Sequence, residues 1–198
     1  MTGRLGTALI ALLLMSGPAS AAPLLLDGAD APPLAAWTAF CGEQPAECST
    51  DPAEPESVAE TPELLELIDA VNRYVNRTII PVKDIEYRQV IDRWEFPVDG
   101  MGDCEDIQLL KRKYLIAAGV PRRALPMTVV IDELGEGHAV LTVRTHKEDL
   151  VLDNKRTEVR RWDHTGYVFV KREAPTATGW AFLQQPTERP IVAAAGAQ

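Results

Sequence analysis

Two adjacent stretches decide the fold: GDCEDIQLLKRKYLIAAGVP (102–121) and MTVVIDELGEGHAVLTVRT (127–145). The first repeats at helical spacing. Ile107, Leu110, Tyr114 and Leu115 share one face, and Lys111, Arg112 and Lys113 lie around the other. The helix is expected to begin near Asp103 and to stop at Ala118-Gly119-Val120-Pro121, where glycine and proline end the pattern. In the second stretch the period drops to two. Met127 to Asp132 reads as a strand, Glu133-Leu134-Gly135-Glu136-Gly137 as a turn, and His138 to Thr145 as a second strand.

Working outward, Leu150 to Asp153 and Gly166 to Val170 read as two further strands. Upstream, Thr61 is placed to cap a helix with Pro62 at its first position. Leu64, Leu65, Leu67, Ile68, Val71, Tyr74 and Val75 carry its apolar stripe to about Asn76. Pro81 to Gly102 shows little periodicity and reads as a loop. Two helices followed by an antiparallel meander is an α+β arrangement.

The chain has 198 residues, 46% of them hydrophobic and 25% charged, with a formal net charge of −9. These values exclude a disordered, collagen-like or multi-span membrane protein. An acidic chain also lacks the positive surface that holds a phosphate backbone, so no nucleic-acid partner is expected. Arg4, the apolar run Leu5 to Met15 and Ala19-Ser20-Ala21 read as a signal peptide, with cleavage expected after Ala21; an uncleaved N-terminal anchor is the alternative. The run is too short to span a bilayer. The mature chain would then hold 177 residues at net charge −10. The expected division is a signal peptide (1–21), an N-terminal arm and loop (22–62), an α+β domain (63–173) and a Pro- and Ala-rich tail (174–198).

Export makes the three cysteines readable. Cys41 and Cys48 bracket a turn-rich segment, and an oxidising compartment allows them to pair. Cys104 is left over. A lone cysteine on an amphipathic helix is by default a core residue, but this one opens its helix, where unpaired N–H groups stabilise a thiolate or an oxyanion. Two further residues support a chemical role. His138 opens an otherwise apolar strand, and Asp153 ends the neighbouring strand, close enough to hold the imidazole through Nδ1. Nucleophile, base and orienter make up the logic of thiol catalysis. His146 and His164 are the rival bases, and both sit in polar turns.

These residues carry a resemblance. Asn72-Arg73-Tyr74-Val75-Asn76-Arg77, Pro81-Val82-Lys83-Asp84, Asp92-Arg93-Trp94, Gly102-Asp103-Cys104-Glu105-Asp106, Gly137-His138-Ala139-Val140-Leu141 and Leu152-Asp153-Asn154 are similar, in order, to blocks of the bacterial transglutaminase-like cysteine proteinases. That family includes the LapG-type periplasmic proteases of large adhesins. The resemblance implies a papain-like or transglutaminase-like core, with Cys104 as nucleophile, His138 as base and Asp153 as orienter. It implies Ca²⁺ held by Asp103 and Glu105, which would offset the repulsion of Asp103, Glu105 and Asp106 around the sulfur. Asp106 or a residue of the 81–99 loop would complete the shell. The Cys104 N–H and a donor near Trp94 would form the oxyanion site. The implied substrate is the N-terminal region of a large surface adhesin, cleaved to control biofilm attachment. The implied regulator is a cyclic-di-GMP-responsive inner-membrane receptor. Two alternatives share these residues: acyl transfer or amide hydrolysis on cell-wall or protein amides, and a non-enzymatic calcium-binding module.

Overall fold

A computed structural model describes residues 24–175 and 179–184. The signal peptide expected at 1–21 lies outside the described residues, as does the end of the expected tail beyond 184. In chain order the elements are β1 (Leu26–Ala31), α1 (Ala35–Glu43), α2 (Pro45–Cys48), α3 (Pro62–Thr78), β2 (Ile80–Pro81), α4 (Asp84–Tyr87) and β3 (Met101–Gly102). There follow α5 (Cys104–Ala117), β4 (Met127–Ile131), β5 (Gly137–Arg144), β6 (Asp149–Leu152), β7 (Arg160–Arg161), β8 (Val168–Glu173) and β9 (Trp180–Gln184).

Helix α3 begins as its sequence dictates. The Thr61 side chain accepts a hydrogen bond from the Leu64 N–H at 3.2 Å, and Pro62 follows it. Ile68 and Val75 are buried, with Leu64, Leu67 and Val71 packed beside them. Helix α5 packs against α3 and β5. It departs from the expected amphipathic pattern. Lys111 and Arg112 are buried, whereas Lys113 and Tyr114 are exposed. Two of the three basic residues of α5 therefore face the interior, where Arg112 meets the Glu173 carboxylate at the end of β8.

The seven-stranded antiparallel sheet has the order β1-β9-β8-β4-β5-β6-β7. Strands β4 to β6 form the expected meander, but a short β7 that the sequence did not signal continues it, and the strand expected at Gly166 to Val170, β8, returns to the free edge of β4. The reason is burial. Met127, Thr128 and Val130 make β4 a central strand, so both of its edges require backbone partners. Strands β9 and β1 then extend the sheet beyond β8, which draws residues from the expected arm and tail into the domain. Trp37 of α1 meets Trp180 of β9 edge-on at 5.8 Å, and this pair joins the core under α3 and α5. A second apolar layer covers the other face, built from Leu25, Val130, Val140, Trp162, Tyr167 and Phe169. The 81–102 segment, expected as loop throughout, contains α4 and is closed by a parallel β2–β3 pairing. Cys41 and Cys48 are disulfide-bonded with Cα atoms 5.6 Å apart, and Cys104 is free.

Candidate active site

Cys104 is the first residue of α5, with Asp103 at the N-cap position. Gly102 makes this entry possible. A Cβ there would lie 2.8 Å from Asp106 Cβ and 3.2 Å from Pro97 Cβ, so only glycine lets the β3 strand pass this close to the helix. The Cys104 sulfur donates to Glu105 Oε2 at 3.1 Å, and the Ala139 N–H of β5 points toward it. Burial and the Glu105 carboxylate push the thiol pKa well up, while the Ala139 N–H works the other way.

His138 is the second residue of β5 and is buried. Register explains its partner. Leu141 pairs with Leu152 across the antiparallel ladder, so Asp153 falls one step further, opposite Val140 and on the His138 face. The contact is His138 Nε2 to Asp153 Oδ1 at 2.8 Å. The expected Nδ1 contact is thus corrected: Nε2 faces the carboxylate, which leaves Nδ1 as the nitrogen available to a reacting group. Asp153 accepts two further bonds, from Tyr167 OH to Oδ2 at 2.7 Å and from the Lys155 N–H to Oδ1 at 2.9 Å. Burial raises its pKa, but the bonds from His138, Tyr167 and Lys155 outweigh that and hold it below the ordinary carboxylate range. The Tyr167 ring stands edge-on to the imidazole at 5.9 Å.

Cys104 and His138 open onto one cleft of about 800 Å³. Pro81, Val82, Ile85 and Ile91 give it an apolar wall, and Trp94, Gly137, Asn154 and Lys155 also line it. His146 and His164 are exposed and lie outside it. A buried, carboxylate-held imidazole that opens onto the same cleft as a thiol can take a proton from the sulfur and return it to a leaving group.

Three carboxylates meet at the head of α5. Oxygens of Asp84, Asp103 and Glu105 lie within 4.8 Å of one another. Asp103 Oδ1 is buried without a hydrogen-bond partner, and among the described residues none of the three makes an ion pair. Burial, reinforced by Asp84, pushes Asp103 to about 6. Burial and Asp103 push Glu105 to about 10. A set of hard oxygen donors with an unpaired buried acceptor fits a divalent cation such as Ca²⁺. Asp84, from the start of α4, is the member that sequence reasoning did not single out, because one acid in an acidic loop gives no spacing signal. Asp106 is not part of the cluster. Its Oδ1 accepts the Glu95 N–H at 2.8 Å, so it ties down the loop before β3. Tyr167 was likewise missed, since a tyrosine before a strand looks like any core residue.

The chain belongs to the bacterial transglutaminase-like cysteine proteinases: the sequence profile of that family matches residues 27–188. It is a cysteine peptidase of transglutaminase-like fold. Among solved structures it is similar to calcium-bound LapG of Legionella pneumophila, at 26% identity and a TM-score of 0.54 over 67% of this chain and 76% of that one. It is similar also to the EGTA-treated form of that protein, at 26% identity and a TM-score of 0.53 over 64% and 70% of the two chains. A search of curated proteins returned no match.

Proposed function

We propose that this protein is an exported, periplasmic, calcium-dependent cysteine endopeptidase that uses a Cys104–His138–Asp153 triad. The reading rests above all on one arrangement: a free cysteine at the N-terminus of α5, opening onto the same cleft as a buried His138 held by Asp153. Cys104 attacks the peptide carbonyl, His138 takes the thiol proton and returns it to the leaving amine, and Asp153 keeps the imidazole oriented. The Cys104 N–H, which as the first of α5 has no partner within the helix, serves the oxyanion.

Asp103 and Glu105, joined by Asp84, would hold the calcium, whose charge offsets their repulsion at the head of α5. The relative solved both with calcium and after EGTA treatment supports this reading. The substrate would be the N-terminal region of a large surface adhesin, and a cyclic-di-GMP-responsive membrane receptor would restrain the enzyme. In the test, iodoacetamide is added to the mature protein, and cleavage of a candidate adhesin fragment is followed by mass spectrometry. Modification is expected at Cys104, with loss of cleavage; Cys104→Ala and His138→Ala should each abolish it, and Asp153→Ala should leave a trace. Full cleavage by His138→Ala would overturn the triad.

A further inference from the structure

Strand β5 is paired unevenly. Its residues Gly137 to Leu141 all face β4, whereas β6 joins it only from Leu141, which lies opposite Leu152. Two bonds at the ends of the β4 ladder give the direction of its backbone groups. The Thr142 N–H donates to the Pro126 carbonyl at 3.1 Å, and the Asp132 N–H donates to the Glu136 carbonyl at 2.9 Å. The N–H and C=O of one residue point to the same side of a strand, and the side alternates along the chain. Even-numbered residues of β5 therefore turn their backbone groups to β4, and odd-numbered residues turn theirs away from it.

Before Leu141 that second side carries no strand. The Ala139 N–H points toward the Cys104 sulfur there. The Ala139 carbonyl and both backbone groups of Gly137 have no backbone partner among the described residues. Ala139 is only 6% exposed, and a buried carbonyl left unpaired is rare. Both residues line the cleft. Gly137 adds an independent sign. A Cβ there would meet nothing within 4 Å, and its φ is not positive. Neither packing nor conformation within this chain demands glycine at 137. What the missing side chain leaves is room for another backbone to approach.

We propose that the open edge of β5 at Gly137 and Ala139 binds the main chain of the substrate as an added strand. Gly137 donates its N–H to a substrate carbonyl and its C=O accepts a substrate N–H. These bonds hold the scissile carbonyl at Cys104, beside Ala139 and about 7 Å further along the strand. The substrate is then an extended segment and not a helix or a packed domain. The apolar wall of the same cleft, with Ile85 and Ile91 both exposed, meets its aliphatic side chains. The inference rests on the endopeptidase reading above, and its test separates the two.

The probe is a proteome-derived peptide library, with cleaved products identified by mass spectrometry. The peptide cleaved fastest is resynthesised with one backbone N–H at a time methylated, the scissile amide excepted. One methylation within two or three residues of the scissile bond should lower kcat/KM by about tenfold, the value of a lost hydrogen bond. Methylation of the next N–H should be tolerated, because neighbouring residues face opposite sides of a strand. On the enzyme, Gly137→Pro removes the donor and should lower kcat/KM by about tenfold. Its Tm should stay near that of the parent, since the lost N–H has no partner and proline is accepted at the first residue of a strand. Equal rates for all methylated peptides, equal losses at neighbouring positions, or parental kcat/KM for Gly137→Pro would each overturn the proposal and leave the protease standing. Iodoacetamide has no peptide backbone, so its rate with Cys104 reads the nucleophile alone. If Gly137→Pro slows that reaction as much as it slows cleavage, the loss lies at His138 and the added strand is refuted. If no peptide of the library is cleaved, the endopeptidase reading fails and this inference with it.

Discussion

Glu173→Gln tests how the helix bearing Cys104 is anchored to the sheet. Glu173 ends β8 and is buried. Its Oε1 accepts from Trp37 Nε1 at 2.8 Å and Arg122 Nη2 at 3.3 Å, and its Oε2 accepts from Arg112 Nη1 at 2.5 Å and the Met127 N–H at 3.0 Å. One carboxylate therefore joins α1, α5, β4 and the turn at Arg122. Glutamine has the same shape but only one acceptor. Whichever way its amide turns, an NH₂ group meets two donors, and Arg112, 1% exposed and unable to shed its proton, loses its counter-charge. Removing one partner of a buried pair costs about 3–5 kcal/mol. At roughly 2–4 °C per kcal/mol for a chain of this size, the Tm should fall by about 6–20 °C.

Acid gives an independent check on the same variant. Burial raises the Glu173 pKa, but Arg112 and Arg122 outweigh it and set the folded value below the ordinary one. The stability from this group is therefore present above the unfolded pKa of about 4.3 and is lost as the pH falls through the lower folded value. Melting followed by circular dichroism from pH 7 down to pH 3 should show a large gap at neutrality that narrows on acidification. A Tm within about 2 °C of the parent at pH 7, or a gap that stays constant with pH, would refute the reasoning.

Two further outcomes are expected. Calcium should raise the Tm by mass action, by about 2.7 kcal/mol of stability at a hundred times the dissociation constant, and EGTA should reverse it. Asp84→Asn should weaken that response, whereas Glu66→Gln on the exposed side of α3 should not; an Asp84→Asn protein that responds like the parent would remove Asp84 from the ligand set. Gly102→Ala should cost about 1–3 kcal/mol, because its Cβ would meet Asp106 at 2.8 Å, and should slow Cys104 alkylation by shifting the start of α5. Unchanged melting and alkylation rates would show that the β3–α5 junction is looser than its geometry indicates.

Much of this protein is written in short-range pattern. The spacing of Leu64, Ile68, Val71 and Val75, with Thr61 and Pro62 ahead of them, determines α3 within a residue or two, because capping and apolar periodicity are local. The alternation in 127–145 determines β4 and β5 for the same reason. Cys104, His138 and Asp153 stand out in the sequence because each lies at the end of an element, where a polar side chain departs from the pattern around it.

What the sequence did not reveal depends on partners distant in the chain. Arg112 reads as part of a solvated flank until Glu173, sixty-one positions on, is placed against it. Strand β8 pairs with β4 and not with β7, because β4 has two edges to satisfy and only the assembled sheet offers a choice. The imidazole presents Nε2 to Asp153, which follows from the twist and register of two strands and not from the order of residues. Asp84 joins Asp103 and Glu105 because the β2–β3 pairing folds the 81–102 segment back onto α5. Periodicity and caps act over a few residues and can be read along the chain; which carboxylate meets which cation is decided only when burial brings distant segments together.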